Sequence, residues 1–276
     1  MFEGLNAALS LSNTAPPTEL QGSLVLCADT LEADGGFLLH HWLATHLKTG
    51  AAVVLVSFAH IQNHFALVAR KLGINLAQLE ARGMFRFIGG LDVPSTDAQS
   101  QPSSGDFHLD LSNPAPLKEL HQRIQDTLKA MEASRRAANP AGEDATQTPV
   151  CIILDSVDTL FHATGGAITP AALLGFIHSC RSFPLVAPAP CLVVSVHADA
   201  LFGGAKALFA TLKHQAQVTL TVSGLPSGYS KDVHGQLYIS RASGLDERPA
   251  PQSKLHYKIQ DHTVTFFAPG LSRAVI

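Results

Sequence analysis

The feature that most constrains the fold is an apolar run near the middle of the chain that ends in an aspartate. Residues 151–154 are Cys, Ile, Ile and Leu, and Asp155 follows directly. Such a run is typical of a strand buried on both faces, as a central parallel strand is. Open α/β sheets bind ligands at the carboxyl ends of their strands, and P-loop ATPases use an aspartate there to hold magnesium. The run therefore predicts half of a nucleotide site.

The order of the other apolar segments predicts an α/β fold. Residues 22–27 and 52–56 are further buried strands, and each is followed by apolar residues at helical spacing. Four later strands have no helix between them, which favours antiparallel pairing. These four span residues 217–222, 235–240, 254–259 and 263–267. We therefore predict a RecA-like fold, with a mostly parallel central sheet flanked by helices and a C-terminal antiparallel meander.

The length of 276 residues suits one large domain. Residues 1–21 contain Pro16 and Pro17 and are predicted to be an N-terminal arm, and residues 22–276 to be a single RecA-like domain. Two segments, near residues 92–116 and 135–148, are rich in polar, proline and glycine residues and have few apolar side chains to offset the entropy of ordering. We expect both segments to be disordered insertions.

Charge and cysteine content narrow the class of partner and the compartment. The net charge is -3, so nucleic acid would have to be bound through a local patch or together with partner proteins. The four cysteines form no CxxC pair, no signal peptide is evident, and no apolar run reaches the ~18 residues that span a bilayer. We expect a cytoplasmic protein without a membrane segment, with the nucleus as a second location.

The loop after the first strand lacks the groups that bind a triphosphate. A working loop needs glycines, a lysine for the β and γ phosphates and a hydroxyl for magnesium. The lysine position here falls at Gly36 or Phe37, and three carboxylates occupy the segment. Each would repel a phosphate charge by about 4 kcal/mol at 4 Å with an effective dielectric of 20. The carboxylates are Asp29, Glu32 and Asp34, and the degenerate phosphate-loop position comprises Asp34, Gly35, Gly36 and Phe37.

These residues predict a pseudo-ATPase that needs no cofactor. Without the lysine, Asp155 is expected to resemble the magnesium-binding aspartate in position but to have no catalytic role. His60 and His64 are four residues apart, but no HExxH context or third ligand accompanies them, so we expect no metal site. Ser195 and His197 have no GxSxG elbow and no placed acid, which argues against hydrolase chemistry.

Several short segments together resemble the sixth-subunit family of the Elongator complex, one of three paralogous RecA-like families. The segments are residues 34–41, 57–60, 71–74, 176–181, 230–237, 257–261 and 266–270. The resemblance spans nearly the whole chain and is weakest in the two polar insertions. It implies a non-catalytic subunit of a heterohexameric ring that contains two copies each of three RecA-like proteins. In the family that ring binds tRNA and supports modification of the wobble uridine (U34) at its 5-position.

The resemblance also implies the partners and one candidate contact. The partners would be two paralogous RecA-like Elongator subunits, the catalytic Elongator subcomplex, and tRNA bound by the assembled ring. Loops at residues 162–169 and 198–206 would project toward the pore, which makes Lys206 a candidate tRNA contact. Two alternatives remain: a divergent RecA-family ATPase that uses Asp155, and a self-assembling KaiC-like binding module. A lysine that reaches Gly35 and Gly36 would favour the ATPase.

Overall fold

The computed structural model describes residues 2–89, 115–138, 148–164, 167–183, 188–199, 204–228, 230–242 and 252–270. Most of the first predicted insertion, residues 92–114, lies outside this part of the chain. Residues 139–147 of the second insertion lie outside it as well.

The described residues form one nine-stranded sheet and eight helices. The strands are β1 (Leu24–Asp29), β2 (Ala52–Ser57), β3 (Phe85–Gly89), β4 (Val150–Asp155), β5 (Cys191–His197), β6 (Val218–Ser223), β7 (Gly235–Arg241), β8 (Gln252–Ile259) and β9 (Val264–Phe267). The helices are α1 (Glu3–Ala8), α2 (Gly36–Lys48), α3 (Gln62–Lys71), α4 (Leu76–Ala81), α5 (Pro116–Ala138), α6 (Val157–Ala163), α7 (Pro170–Arg181) and α8 (Gly204–Gln215), with a 3₁₀ turn at Thr18–Leu20.

The sheet order is β3-β2-β4-β5-β1-β6-β7-β8-β9. The six strands from β3 to β6 pair in parallel, and β7, β8 and β9 continue the sheet in antiparallel pairs. The predicted fold class is confirmed. One detail differs: β6 pairs in parallel with β1, because helix α8, which the sequence analysis did not identify, makes the crossover that precedes it.

The parallel strands separate two apolar cores. Alternate residues face opposite sides of each strand, and every residue of β1, β2 and β4 is buried. The first core lies under α1, α2 and α3, with Trp42 fully buried. The second lies under α5, α6, α7 and α8, where the α5 stripe of Leu120, Ile124, Leu128 and Met131 is buried. Burial on both faces is the property that the sequence analysis used to predict parallel strands.

The N-terminal segment packs on the first core. Leu5 and Leu9 are fully buried there, and the backbone N–H of Phe2 donates to Nδ1 of His41 at 3.1 Å. Arg241 on β7 donates a hydrogen bond to the carbonyl oxygen of Leu9. The segment thus covers α2 and the antiparallel end of the sheet, while the boundary at residue 21 stays a prediction.

Helix α5 extends into the start of the second predicted insertion, near residue 135. Residues 135–138 are helical, and Arg135 donates to the carbonyl oxygen of Gly83 at 2.9 Å.

None of the described helices is long and apolar enough to cross a membrane.

Candidate functional site

The candidate site lies where three neighbouring parallel strands end. β4, β5 and β1 are adjacent and parallel, so their carboxyl ends meet at one edge of the sheet. This geometry brings Asp155 from β4, Ser195 and His197 from β5, and Asp29 from β1 into one cleft beside the N-terminus of α2. Four side chains with hydrogen-bonding or charged groups thus converge from three strands.

Asp155 is the centre of the first hydrogen-bond network. Its carboxylate is 2% exposed, and Oδ2 accepts from Oγ of Ser57 at 2.6 Å and from Nδ1 of His60 at 2.9 Å. Oδ1 accepts from Oγ of Ser156 at 3.1 Å and from Oγ of Ser195 at 3.3 Å. A carboxylate has about four acceptor positions, so these contacts use its whole capacity.

The network fixes the charge state of Asp155. Burial acts to raise its pKa, but hydrogen bonds from His60, Ser57 and Ser156 and the charge of His60 outweigh burial and hold the pKa below the usual value. The same hydrogen bond raises the pKa of His60 above its usual value, despite partial burial. Asp155 is therefore a carboxylate whose partners are all side chains of its own chain.

Asp29, the last residue of β1, forms the second network. Its Oδ1 lies 2.5 Å from Nδ1 of His197, and its Oδ2 accepts from the backbone N–H of Gly35 at 2.7 Å. The hydrogen bond to Asp29 raises the pKa of His197 to about 9, with further help from the charges of Asp158 and Asp155. The Asp29–His197 pair is thus an ion pair at neutral pH, and its carboxylate takes the backbone amide that a phosphate would use.

Gly35 is required because Asp29 closely approaches the start of α2. A Cβ on Gly35 would lie 2.8 Å from the Cβ of Asp29, closer than real contacts of this kind. The backbone N–H of Gly36 donates to Oδ1 of Asp34 at 2.6 Å, so the second loop amide also has a carboxylate partner from the chain itself. Each of these amides is therefore occupied without a ligand.

Phe37 contributes to the core instead of facing a phosphate. Its ring centroid lies 4.9 Å from that of Tyr257, and Phe2 and Phe266 are further neighbours. The cavity left beside the loop has a volume of about 40 Å³. A single ordered water needs about 10–15 Å³ on this scale, so this part of the cleft has room for a few waters.

Ser156 shows that the network holds a strained backbone. This non-glycine residue has φ 56° and ψ 56°, in the left-handed region, directly after Asp155. Its N–H donates to Oγ of Ser195 at 2.7 Å. Such a conformation costs about 1–3 kcal/mol and persists where the surroundings fix it. The side-chain network here fixes it.

The structure brings most of the predicted site residues together. Asp34, Gly35, Gly36 and Asp155 line the same cleft. Lys206 does not lie in a loop as predicted, because it is in the first turn of α8, where its side chain is exposed. Its contact with tRNA stays a prediction.

Sequence analysis missed the histidines that complete the site. Sequence analysis considered His60 only as a metal ligand and found no acid for His197, yet each pairs with an aspartate. The pairs span 95 and 168 residues of sequence, a separation that no local pattern reveals. The signal available in the sequence was that Asp29 and His197 each follow an apolar run, and such runs end at one edge of a parallel sheet. The structure makes the two residues partners in strand register.

The strand order and the C-terminal meander define a RecA-like domain, and two solved structures have the same fold. An uncharacterised protein of Pyrococcus horikoshii, crystallised with an unknown peptide, aligns over 98% of both chains with a TM-score of 0.59 and 13% identity. A KaiC-like protein of the same archaeon aligns over 93% of this chain and 97% of its own, with a TM-score of 0.53 and 10% identity. At these identities the likeness concerns the fold.

Sequence relatives give the family. The family model described as Elongation complex protein 6 matches residues 2–261. Elongator complex protein 6 of Homo sapiens is 35% identical over 290 residues, and that of Xenopus tropicalis 35% over 283, with all of each chain covered. The Dictyostelium discoideum protein of the same name is 23% identical and covers 90% of this chain and 91% of its own. The chain belongs to the Elongator complex protein 6 family.

Proposed function

We propose that this chain is a non-catalytic subunit of the Elongator complex. Its place would be in a RecA-like heterohexameric ring with two paralogous RecA-like subunits. The ring would bind tRNA and support modification of the wobble uridine at its 5-position by the catalytic Elongator subcomplex. Family membership over residues 2–261 and the RecA-like fold support this assignment.

The main support for a non-catalytic role is the position of the Asp29 carboxylate. It accepts from the Gly35 amide and pairs with His197, so a phosphate would have to displace a bound negative charge. No lysine occurs in residues 28–38 to compensate. Since Asp155 has four side-chain partners, magnesium would also have to break an existing network. These contacts support a pseudo-ATPase.

Calorimetric titration of the purified chain with magnesium and ATP tests this assignment. We expect no saturable binding by the wild-type chain. A micromolar dissociation constant that the Asp155→Ala variant abolishes would contradict the proposal and favour the divergent ATPase. Light scattering on the same sample tests the KaiC-like alternative, which requires a homohexamer.

Assembly and RNA binding need the partners. Tagged chain co-expressed with the two paralogous subunits should purify as a hexamer. With a net charge of -3, the chain alone should bind tRNA weakly, whereas the ring should bind through pooled basic residues. Each phosphate contact on a single strand contributes about 0.7 to the salt dependence of log K. Filter binding at two salt concentrations measures this slope, and submicromolar binding by the lone chain would refute the proposal.

Two finer parts of the proposal have their own tests. If Lys206 contacts a phosphate, Lys206→Ala in the assembled ring should lower the salt slope by about 0.7. An unchanged slope would contradict a contact between Lys206 and a phosphate.

We also propose a cytoplasmic location with a second pool in the nucleus, which fluorescence microscopy of a tagged chain would test.

A further inference from the structure

A second group of reactive side chains lies inside the first core, away from the cleft at the carboxyl ends of the strands. It consists of His46 in the last turn of α2, Cys151 near the start of β4 and Cys191 at the start of β5. All three residues are 0% exposed. One ligand atom from each residue lies within 4.8 Å of the other two. Across the described ranges, this is the group of His, Cys, Asp and Glu side chains compact enough to hold a metal ion.

The sheet and α2 place the three side chains. Cys151 and Cys191 are register partners on neighbouring parallel strands, and both belong to the first core. Strand partners on one face hold their side chains side by side. His46 reaches the same point from α2, which packs across β4 and β5. Regular structure thus fixes the group from three elements.

The hydrogen bonding of His46 leaves one ring nitrogen free to bind an ion. Nδ1 lies 2.9 Å from the carbonyl oxygen of Trp42, and because a carbonyl only accepts, Nδ1 donates. Nε2 then keeps its lone pair in the neutral ring. It is buried and makes no hydrogen bond within ordinary geometric limits in the described part of the chain, although the Cys191 thiol lies close enough to interact with the His46 ring. Buried polar atoms without a partner are uncommon, and each calls for an explanation.

We propose that Nε2 of His46 and the Sγ atoms of Cys151 and Cys191 bind one thiophilic metal ion, Zn²⁺ or Cu⁺. Thiolate and imidazole ligands suit these ions. A ring N–H donated to a backbone carbonyl is the arrangement that orients metal-binding histidines. Zinc–ligand distances of about 2.0–2.3 Å put ligand atoms about 3.5 Å apart, so the three atoms converge by about 1 Å or less on binding. The two thiols release their protons to solvent as the ion binds.

The site suits the two candidate ions for different reasons: its charge suits Zn²⁺, and its number of ligands suits Cu⁺. Two thiolates and a neutral imidazole carry a charge of about -2, which Zn²⁺ cancels inside a buried core. Cu⁺ matches the number of ligands, since soft thiolates select it and no fourth ligand is needed. Either ion would be structural, joining α2 to β4 and β5. The proposal is independent of the assignment to the Elongator ring.

Metal content of the full chain tests the proposal. Because the site is buried, the chain is unfolded and refolded with Zn²⁺ in one arm and with Cu⁺ under reducing, oxygen-free conditions in the other. After desalting, mass spectrometry of the elements measures the bound ion. We expect an equimolar content in at least one arm. Cys151→Ala and Cys191→Ala should lose the ion, and His46→Gln should reduce its retention against a chelator.

Cys180→Ala is the matched control, because Cys180 is equally buried but lies in the second core. It should keep the wild-type metal content. Negligible metal in the wild-type chain in both arms would overturn the proposal, as would equal retention by the Cys180→Ala and Cys191→Ala variants. If the cysteine variants fail to fold, thiolate-to-metal absorption of the refolded wild-type chain decides, with Co²⁺ in place of Zn²⁺ in one arm and Cu⁺ in the other: absorption in either arm supports the site, and its absence in both refutes it.

Discussion

The ion pair between Asp29 and His197 predicts a defined pH dependence of stability. The perturbation is Asp29→Asn, which keeps an oxygen to accept from the Gly35 amide and removes the negative charge. In the wild-type chain the pKa of His197 is raised to about 9, chiefly by its hydrogen bond to Asp29. We expect this pKa to fall well toward the usual value of about 6.5 in the variant.

The size of the effect follows from the shift and the exposure of the ring. A rise from 6.5 to about 9 corresponds to about 3 kcal/mol as an upper bound. Because the side chain of His197 is 40% exposed, solvent screening reduces this to about 1 kcal/mol. A histidine with a raised folded pKa stabilises the fold fully below about pH 6.5, and this contribution is lost as the pH rises toward 9.

Two measurements check this prediction. Imidazole NMR gives the pKa of His197, and urea unfolding at pH 6 and pH 10 gives the free-energy difference between variant and wild type. We expect about 1 kcal/mol at pH 6 and almost no difference at pH 10. Asp232→Asn is the control, because Asp232 pairs with Lys258 on the surface and should leave His197 unchanged. A wild-type pKa near 6.5, or an equal loss at both pH values, would refute the reasoning.

Four further predictions concern packing and domain organisation. Gly35→Ala would place a Cβ 2.8 Å from the Cβ of Asp29 and should cost about 1–3 kcal/mol in urea unfolding. Gly175→Ala in α7 meets no atom within 4 Å and should instead stabilise by about 0.5–1 kcal/mol. Leu120→Ala removes a fully buried side chain of the second core and should cost about 2–5 kcal/mol, seen as a lower denaturation midpoint. Deleting residues 95–113 should leave the melting temperature nearly unchanged, since each halving of a loop alters closure free energy by only about 0.6 kcal/mol and this deletion amounts to about two halvings. A large loss would show that this segment joins the core.

The parallel core could be predicted because burial on both faces leaves a local signature. Runs of consecutive apolar residues identified β1, β2 and β4 to within about two residues. The meander was readable from its alternation and short connections. Helix α8 was missed although Leu208, Phe209 and Leu212 recur at helical spacing and pack on the second core, so its signal was present in the sequence.

The site was harder to predict than the fold because its contacts are non-local. Asp155 and the Gly35–Gly36 turn were found from their positions at the ends of strands. The partners of the two aspartates, His60 and His197, depend on strand order, which sequence patterns do not fix. The same holds for His46, which lies 105 positions before Cys151 and meets it only across the sheet and α2.

In this loop the side chain of Asp29 occupies the backbone amide that a nucleotide phosphate would use. This changes how the site can affect neighbouring subunits in an assembly. A bound nucleotide stabilises one conformation by an amount that rises with its concentration. Asp29 is separated from the Gly35 amide by six positions, so its effective concentration is fixed and high, on the order of millimolar or above. The loop between β1 and α2 therefore keeps the same partner whatever the nucleotide level, and the surface beside it stays constant. In the proposed ring, any response to nucleotide would then have to originate in the paralogous subunits, with this chain as an invariant neighbour.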